Sequence, residues 1–495
     1  MFKIYARHLF IYIFFLGSII GLGYLSVHAQ EFIVWSLQDR IPVYDNRSMP
    51  PLMVADTNQT VHAFNTQPED EDNDGIFYRK WTHDLGWSLP VDIIFPVSRH
   101  GGANTVQGVL LDENSKFHMI YYLAGIPEVI NYTWSWAVEA EQADAWMKPI
   151  PVGLNAGPLI CAGLVGDGQN YLIVIYCGQE YGKGLYEVHS LDGGENWSEP
   201  EIITNISKEG IYPYAIRLNF DTRGNLHIVW SLVSELGAGE AVYYARYNMD
   251  SEEWSHPTMI ASKEGEDYST NWPVISSYNG ELLLIYQDSF PATLWMRRSI
   301  DNGETWTAPL RIFPTVGEYA QPALVRDSRD VLYMVLGTRT TETEIHGMWY
   351  STWLDGQWSP LDPIVSGRKD SVFDPSSPQA VISQGDVLLV TWRNDVSVKN
   401  GAWYSYGNLD ASELPAIPLS TPPHSQKPTS TLTQTATTQT PIPTPSSLPL
   451  ERTDILTPER TETNPARPLL IASVSTILII SIVVIYHRYV YRARQ

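Results

Sequence analysis

Several acidic residues of this 495-residue chain stand beside tyrosines at recurring intervals: Glu180-Tyr181, Glu209 with Tyr212, Asp267-Tyr268 and Glu318-Tyr319. An acid next to a phenol can hold sugar hydroxyls, or it can draw off the phenol proton and leave the oxygen as a nucleophile. Arg99, Arg339 and Arg393 carry the planar, permanently charged fork that grips a carboxylate. Arg47, Asp288, Glu342, Asp374 and Asn394-Asp395 complete the polar set. Solvated loop charge explains any one of these residues taken alone. They become a site only if the fold gathers them.

The elements that must do so repeat. An apolar strand, a turn rich in Asp, Asn and Gly, and a second strand recur in seven copies of similar length. A fixed period of this kind marks a repeat architecture. The second strands include residues 61–64, 117–121, 172–176 and 226–230, and the later copies begin at Leu282, Leu332 and Val387. A third strand follows, centred on Tyr78, Tyr132, Tyr186, Tyr244, Trp295, Trp349 or Tyr404. Then come a Trp and, further on at constant spacing, an aliphatic: Trp87/Ile93, Trp146/Val152, Trp197/Ile203, Trp254/Ile260, Trp306/Ile312 and Trp358/Ile364. The seventh copy lacks this last strand, and Trp35/Ile41 near the N-terminus has the same spacing. A strand from one end of the chain that completes the last unit at the other closes a ring and removes its edges. The expectation is an all-β, seven-bladed propeller over residues 30–414, with six blades as the alternative. The loops leading into each first strand, and those joining second to third strands, then surround one mouth and carry the polar residues named above.

Two copies contain a fuller motif. Ser190-Leu191-Asp192-Gly193-Gly194-Glu195-Asn196-Trp197 and Ser299-Ile300-Asp301-Asn302-Gly303-Glu304-Thr305-Trp306 resemble the Asp box, S-x-D-x-G-x-x-W, of the bacterial neuraminidases (sialidases). In that family the box is structural: Ser190, Asp192, Gly194 and Trp197, like Ser299, Asp301, Gly303 and Trp306, would hold a turn away from the substrate face. The resemblance implies a catalytic set in which three arginines clamp a sugar carboxylate, an Asp is acid/base and a Glu activates a nucleophilic Tyr. On that pattern Tyr319, Glu318 and Asp267 are the catalytic candidates, with Arg339, Arg393, Arg99, Tyr268 and Asp374 contacting substrate. The family's early Arg-Ile-Pro is matched by Arg40-Ile41-Pro42, yet the repeat already assigns Ile41 to the closing strand and Arg40 to the outer rim. No triad of inner-strand arginines can be read off the chain.

The two ends carry addresses. Residues 1–29 have the basic start, apolar middle and Val27-His28-Ala29 finish of a signal peptide. Residues 467–487 form an apolar stretch long enough to span a membrane. Arg488, Arg492 and Arg494 in the tail 488–495 place that tail in the cytoplasm and the propeller outside at the plasma membrane. Between propeller and span, Pro, Ser and Thr make up more than half of 415–466, which makes this segment a stalk. The chain holds 55 acidic against 32 basic side chains, which excludes nucleic acid as a partner. Cys161 and Cys177 flank one turn and form a possible disulfide, with two buried thiols as the alternative. No cofactor or metal is expected. His62, His118 and His227 share one repeat position rather than a metal site; a structural Ca²⁺ is conceivable in so acidic a domain, but no contiguous ligand loop supports it. Three functions fit: a glycan- or polysaccharide-recognising surface propeller, an exo-sialidase or related glycoside hydrolase, and a non-catalytic platform for a protein partner.

Overall fold

Second strands such as Leu172–Gly178 are apolar at nearly every position because both of their faces are covered, one by each neighbouring sheet. A computed structural model describes residues 33–69, 73–95, 104–123, 128–154, 161–221, 223–249, 251–265, 268–289, 292–313, 321–338, 345–370, 372–394 and 400–422. Among these, the strands form seven separate antiparallel sheets, so the ring has seven blades and the six-bladed alternative falls. Blade 1 runs Leu52–Ala55, Val61–Pro68, Asp74–Thr82 and Val91–Ile94, and blade 2 runs Asn104–Leu111, Lys116–Leu123, Val129–Trp136 and Ile150–Leu154. Blade 3 comprises Ala162–Gly166, Leu172–Gly178, Gly184–Ser190 and Glu201–Asn205, and blade 4 comprises Ile211–Phe220, Leu226–Ser234, Gly239–Asn248 and Thr258–Ser262. Blade 5 follows with Ser269–Tyr278, Glu281–Ser289, Thr293–Ser299 and Leu310–Ile312. Blade 6 has Ala323–Arg326, Leu332–Thr338, Ile345–Leu354 and Asp362–Arg368.

Blade 7 takes Pro375–Ser383, Val387–Asn394 and Ala402–Asn408 from the end of the domain and Asp39–Arg40 from its beginning. Asp39 pairs with Tyr404 and Arg40 with Trp403, and Trp35 bridges Gly407. Ile41 is buried in this seam while Arg40 is exposed on the outermost strand. The Arg-Ile-Pro triplet therefore closes the ring and faces away from the axis.

A repeated device ties neighbouring blades together. In blades 1, 2 and 4 a histidine of the second strand bonds a third-strand tyrosine: His62 Nδ1 to Tyr78 Oη at 2.6 Å, His118 to Tyr132 at 2.7 Å and His227 to Tyr244 at 2.9 Å. On its other side each imidazole faces the carboxylate of the first turn: Asp56 at 2.9 Å, Asp112 at 3.4 Å and Asp221 at 3.3 Å. That carboxylate also accepts the backbone N–H groups that close the turn, Thr60 donating to Asp56 and Lys116 to Asp112 at 2.7 Å. Burial works against the charge on Asp112, but the His118 imidazole facing it and the bond from the Lys116 N–H more than offset it, and its carboxyl sits below the usual range. In two blades the tyrosine then reaches the Asp box of the following blade, Tyr132 Oη donating to Gly193 O at 3.2 Å and Tyr244 Oη to Asn302 O at 3.3 Å.

Within each box the serine hydroxyl and the carboxylate lock the turn. Ser190 Oγ donates to Asp192 Oδ1 and accepts Gly194 N–H, both at 2.8 Å, and Ser299, Asp301 and Gly303 repeat the pattern. Bonds from the Asn196 side chain and N–H pull Asp192 down to about 2, and Thr305 does the same for Asp301. Trp197 packs edge-on to Tyr132 at 4.9 Å and Trp306 to Tyr244 at 5.0 Å. Trp35 takes the same place against Tyr350 of blade 6 at 5.5 Å, so the closing strand supplies the seventh tryptophan.

Blade 3 departs from the pattern. Strand register puts Glu187, not Tyr186, in the tyrosine position, opposite Ile175, and Glu187 accepts Trp254 Nε1–H from blade 4 at 2.8 Å. Burial raises this carboxyl above its ordinary range, although the Trp254 bond and nearby His189 oppose the shift. The folded chain thus holds a proton that the unfolded chain has released, so this group's contribution to stability falls as pH rises above the ordinary carboxylate value. Glu187→Gln keeps an acceptor for Trp254 and removes the charge. The expected result is a variant more stable at pH 7, with the gain vanishing as pH falls to the ordinary carboxylate value. A loss of stability at pH 7 in denaturant melts would refute the assignment.

Cys161 and Cys177 do oppose each other, Cys177 N–H donating to Cys161 O at 2.9 Å, but both are buried free thiols and no disulfide joins them. Direct cross-strand geometry is unfavourable for a bridge, and the Cys177 thiol instead donates to Pro213 O at 3.1 Å. Native protein should show no thiol reactive toward an aromatic disulfide reagent, and unfolding without reductant should release two. A native chain that releases none on unfolding would mean that the pair is oxidised.

Beyond blade 7 the chain continues along the face that carries the first-to-second turns. Leu414 N–H donates to Gln384 O at 2.6 Å, Ile417 N–H to Thr57 O at 2.8 Å and Ser420 N–H to Ser115 Oγ at 2.9 Å. Residues 414–420 thus strap blades 7, 1 and 2 on the side opposite the mouth, so the docked chain runs past 414, where the sequence placed the start of a disordered stalk. Residues 1–29, 467–487 and 488–495 lie outside the described residues. Among the described residues no helix is long and apolar enough to cross a membrane.

Candidate functional site

The mouth is built where first strands begin and second strands end. Asp267, Glu318, Tyr319, Arg99 and Arg339 lie outside the described residues, as do Glu342 and Asp395. The remaining expected residues can be placed. Tyr268 is exposed at the start of blade 5. Asp374 leads into blade 7 but is only 1% exposed. Its Oδ1 lies 2.5 Å from Nδ1 of His346, Lys369 stands 3.6 Å away, and its own N–H is taken by Asn394. This carboxylate ties blade 6 to blade 7. Glu180 likewise accepts the Tyr176 hydroxyl at 2.7 Å and Leu154 N–H at 2.6 Å. Tyr176 is fully buried, and burial together with Glu180 raises its hydroxyl far above the ordinary phenol range. That pair joins blades and supplies no nucleophile.

Arg393 extends to the N-terminal segment, its Nη1 lying 2.9 Å from Sδ of Met49. Met49 lines a cavity of about 670 Å³ walled by Asp45, Arg47, Ser48 and Pro50, by Asn65, Thr66 and Asp74 of blade 1, by Thr105 of blade 2 and by Gln379 of blade 7. Amides, hydroxyls and carboxylates here alternate with the apolar surfaces of Met49, Pro50, Leu52 and Phe64. Asn65 is 3% exposed, and among the described residues its Oδ1 has no hydrogen-bond partner. A buried carbonyl left unsatisfied is costly unless a ligand or water completes it.

The wall formed by residues 45–50 is held from behind. Arg79, fully buried, donates Nη1–H to Pro42 O at 2.7 Å and packs over the Tyr44 ring at 4.8 Å. Burial draws its guanidinium down to about 10. Tyr44 Oη donates to Met49 O at 2.5 Å, and Asp45 N–H donates to Gln67 Oε1 at 2.8 Å. Between Pro42 and Tyr44, Val43 adopts left-handed backbone. β-Branched residues rarely hold that conformation unless their surroundings impose it.

A second polar arc lies across the channel. The first strands of blades 4, 5 and 7 carry bulges at which Ala215, Trp272 and Ser377 adopt left-handed backbone. The Gln321 amide ties two of these bulges together, donating to Ala215 O at 3.0 Å and Pro273 O at 2.8 Å. Tyr214 meets Trp272 edge-on at 5.5 Å, and Tyr212 donates to Glu235 at 3.5 Å, not to Glu209. Arg217 is exposed on the inner strand, bonds the Ile216 carbonyl, and has no carboxylate partner among the described residues. Asp288 accepts Thr270 Oγ1–H at 2.7 Å, and burial raises its carboxyl above the ordinary range despite that bond.

Sequence reasoning missed Asn65, Arg79, Arg217 and Gln379. Each sits within a strand, where repeat phase was the strongest available signal, and no local motif marks it. Among the described residues no group of three or more His, Cys, Asp or Glu is placed to hold a metal.

The fold is similar to that of polysaccharide lyase Uly1, with a TM-score of 0.50 at 13% identity over 78% of this chain and 94% of that one. Lower scores are found with a PL25 ulvan lyase (0.49, 10% identity, 75% and 96%) and with the NanB sialidase from Streptococcus pneumoniae (0.42, 10% identity, 77% and 71%). No family model matches the chain, and no curated protein matches it in sequence. The likeness to Uly1 shows the fold alone, and that fold is the propeller that the Asp boxes led one to expect.

Proposed function

We propose that this chain is a cell-surface propeller, anchored by residues 467–487, that recognises glycans or polysaccharide at its mouth without cleaving them. The observation that carries the reading is the cavity beside Asn65. Its size suits one or two sugar rings, and its amides, hydroxyls and carboxylates match ring hydroxyls. The arginines of the mouth and channel, Arg47, Arg217 and Arg393, favour acidic sugars over neutral ones. Uly1, whose name denotes polysaccharide chemistry, shares the architecture, and an architecture by itself assigns no reaction. A glycan array probed with the full-length chain in detergent tests the reading. Binding confined to acidic glycans is expected, and silence across the array would turn the proposal toward a protein partner.

One observation favours an enzyme, an exo-sialidase or related glycoside hydrolase. Asp288 is a mouth carboxyl whose raised affinity for its proton suits a general acid. If it acts so, a fluorogenic sialoside should turn over, and Asp288→Asn should lower kcat by at least about a hundredfold. The non-cleaving reading expects no turnover in either protein.

A further inference from the structure

The segment that closes the ring and the segment that walls the cavity are one run of chain. Asp39–Arg40 completes blade 7, and residues 45–50 form one side of the cavity shortly afterwards. A buried arginine joins the two. Arg79 places its charge on main-chain carbonyls and on the Tyr44 ring, with no carboxylate partner among the described residues. Arg40 Nη2 and Gly401 N–H fix Asn46 from the blade 7 side, through its Oδ1 at 2.9 Å and its carbonyl at 3.3 Å.

We propose that Arg79 is a positioning residue for the mouth cavity and that, through residues 42–50, sugar binding and ring closure are a single linked equilibrium. The linkage rests on the reading of the cavity as a glycan site, and it is reciprocal. A ligand that touches Ser48, Met49 and Asn65 binds only when residues 42–50 are docked, so its binding free energy also resists undocking of the closing strand. Conversely, whatever loosens residues 42–50 weakens the ligand. The route is specific: the Arg79 fork holds the Pro42 and Val43 carbonyls, Tyr44 lies under the fork, and its hydroxyl holds the Met49 carbonyl at the cavity wall. Lysine cannot reproduce a planar fork that serves two acceptors and a ring together.

The test measures backbone hydrogen exchange at residues 42–50 and affinity by calorimetry, on the full-length chain in detergent, with 3′-sialyllactose and tetragalacturonate as probes. Wild type, Arg79→Lys and Tyr44→Phe are compared. Tyr44→Phe keeps the ring under Arg79 and removes only the bond to Met49, so it remains informative if Arg79→Lys fails to fold. Saturation with a binding probe should slow exchange at 42–50 in wild type by at least about tenfold. Arg79→Lys should speed that exchange and weaken the probe by a similar factor, and Tyr44→Phe should do both to a smaller degree. Probe binding that leaves exchange at 42–50 unchanged overturns the linkage and leaves the glycan reading standing. So do variants that loosen 42–50 with unaltered affinity. Absence of binding by either probe, together with a silent glycan array, removes the glycan reading and the linkage with it.

Discussion

Gly194→Ala and Gly303→Ala should each destabilise the propeller by about 2–4 kcal/mol. Two effects add at these positions. Both glycines have left-handed backbone, where an alanine is strained. Both also lie against the latch tyrosine of the preceding blade, and an added Cβ would overlap Tyr132 Oη or Tyr244 Oη. The tyrosine cannot simply withdraw, because His118 or His227 holds its hydroxyl from behind. Gly86→Ala is the internal control. Gly86 is also left-handed, but an added Cβ there meets open space. Only the backbone cost of about 1 kcal/mol is therefore expected. Denaturant melts of the three variants decide it, and equal losses at Gly86 and Gly194 would show that the interblade latch contributes nothing.

Removing the closing strand should have a still larger effect. A chain that begins at Val43 lacks Trp35 against Tyr350 and the pairing of Asp39–Arg40 with Trp403 and Tyr404. It also uncovers the edge of Ala402–Asn408, an open strand of the kind that associates with other chains. The expected product elutes from size exclusion as aggregate. A peptide of residues 33–50 added during refolding should restore the monomer. A monodisperse truncated chain with an unchanged melting curve would mean that the ring closes by other contacts.

The ring was legible in the sequence because its signals are periodic. Trp35 and Ile41 were recognisable as the missing fourth strand from spacing alone, and the Asp boxes named the turn. The histidines His62, His118 and His227 could be taken out of consideration as a metal site by their shared phase. Their partners Asp56, Asp112 and Asp221 carried the same phase but became meaningful only with the register of the second and third strands. Register also decides between adjacent aromatics: Tyr350, beside the Trp349 that spacing favours, is the residue that meets Trp35. The site was less legible. Repeat topology put Asp374 and Glu180 at the mouth end of their blades, yet whether a carboxylate faces solvent or a neighbouring blade depends on interblade packing. His346 claims one and Tyr176 the other. Asn65 and Gln379 lie inside strands whose composition reads as core, and Arg79 looks like any strand arginine until Pro42 and Tyr44 fold over it.

If the cavity beside Asn65 receives a sugar, Asn65→Leu is the most direct test, since leucine keeps the branched outline of this side chain, with some added bulk, and deletes the amide that lines the cavity. Calorimetric titration of the full-length wild type and variant with 3′-sialyllactose and tetragalacturonate, beside a thermal melt of each, gives the answer. The expected variant still melts cooperatively, at or somewhat below wild type, and its affinity for the binding probe falls by about tenfold or more. Undiminished affinity in a folded Asn65→Leu chain would contradict a sugar site at this cavity.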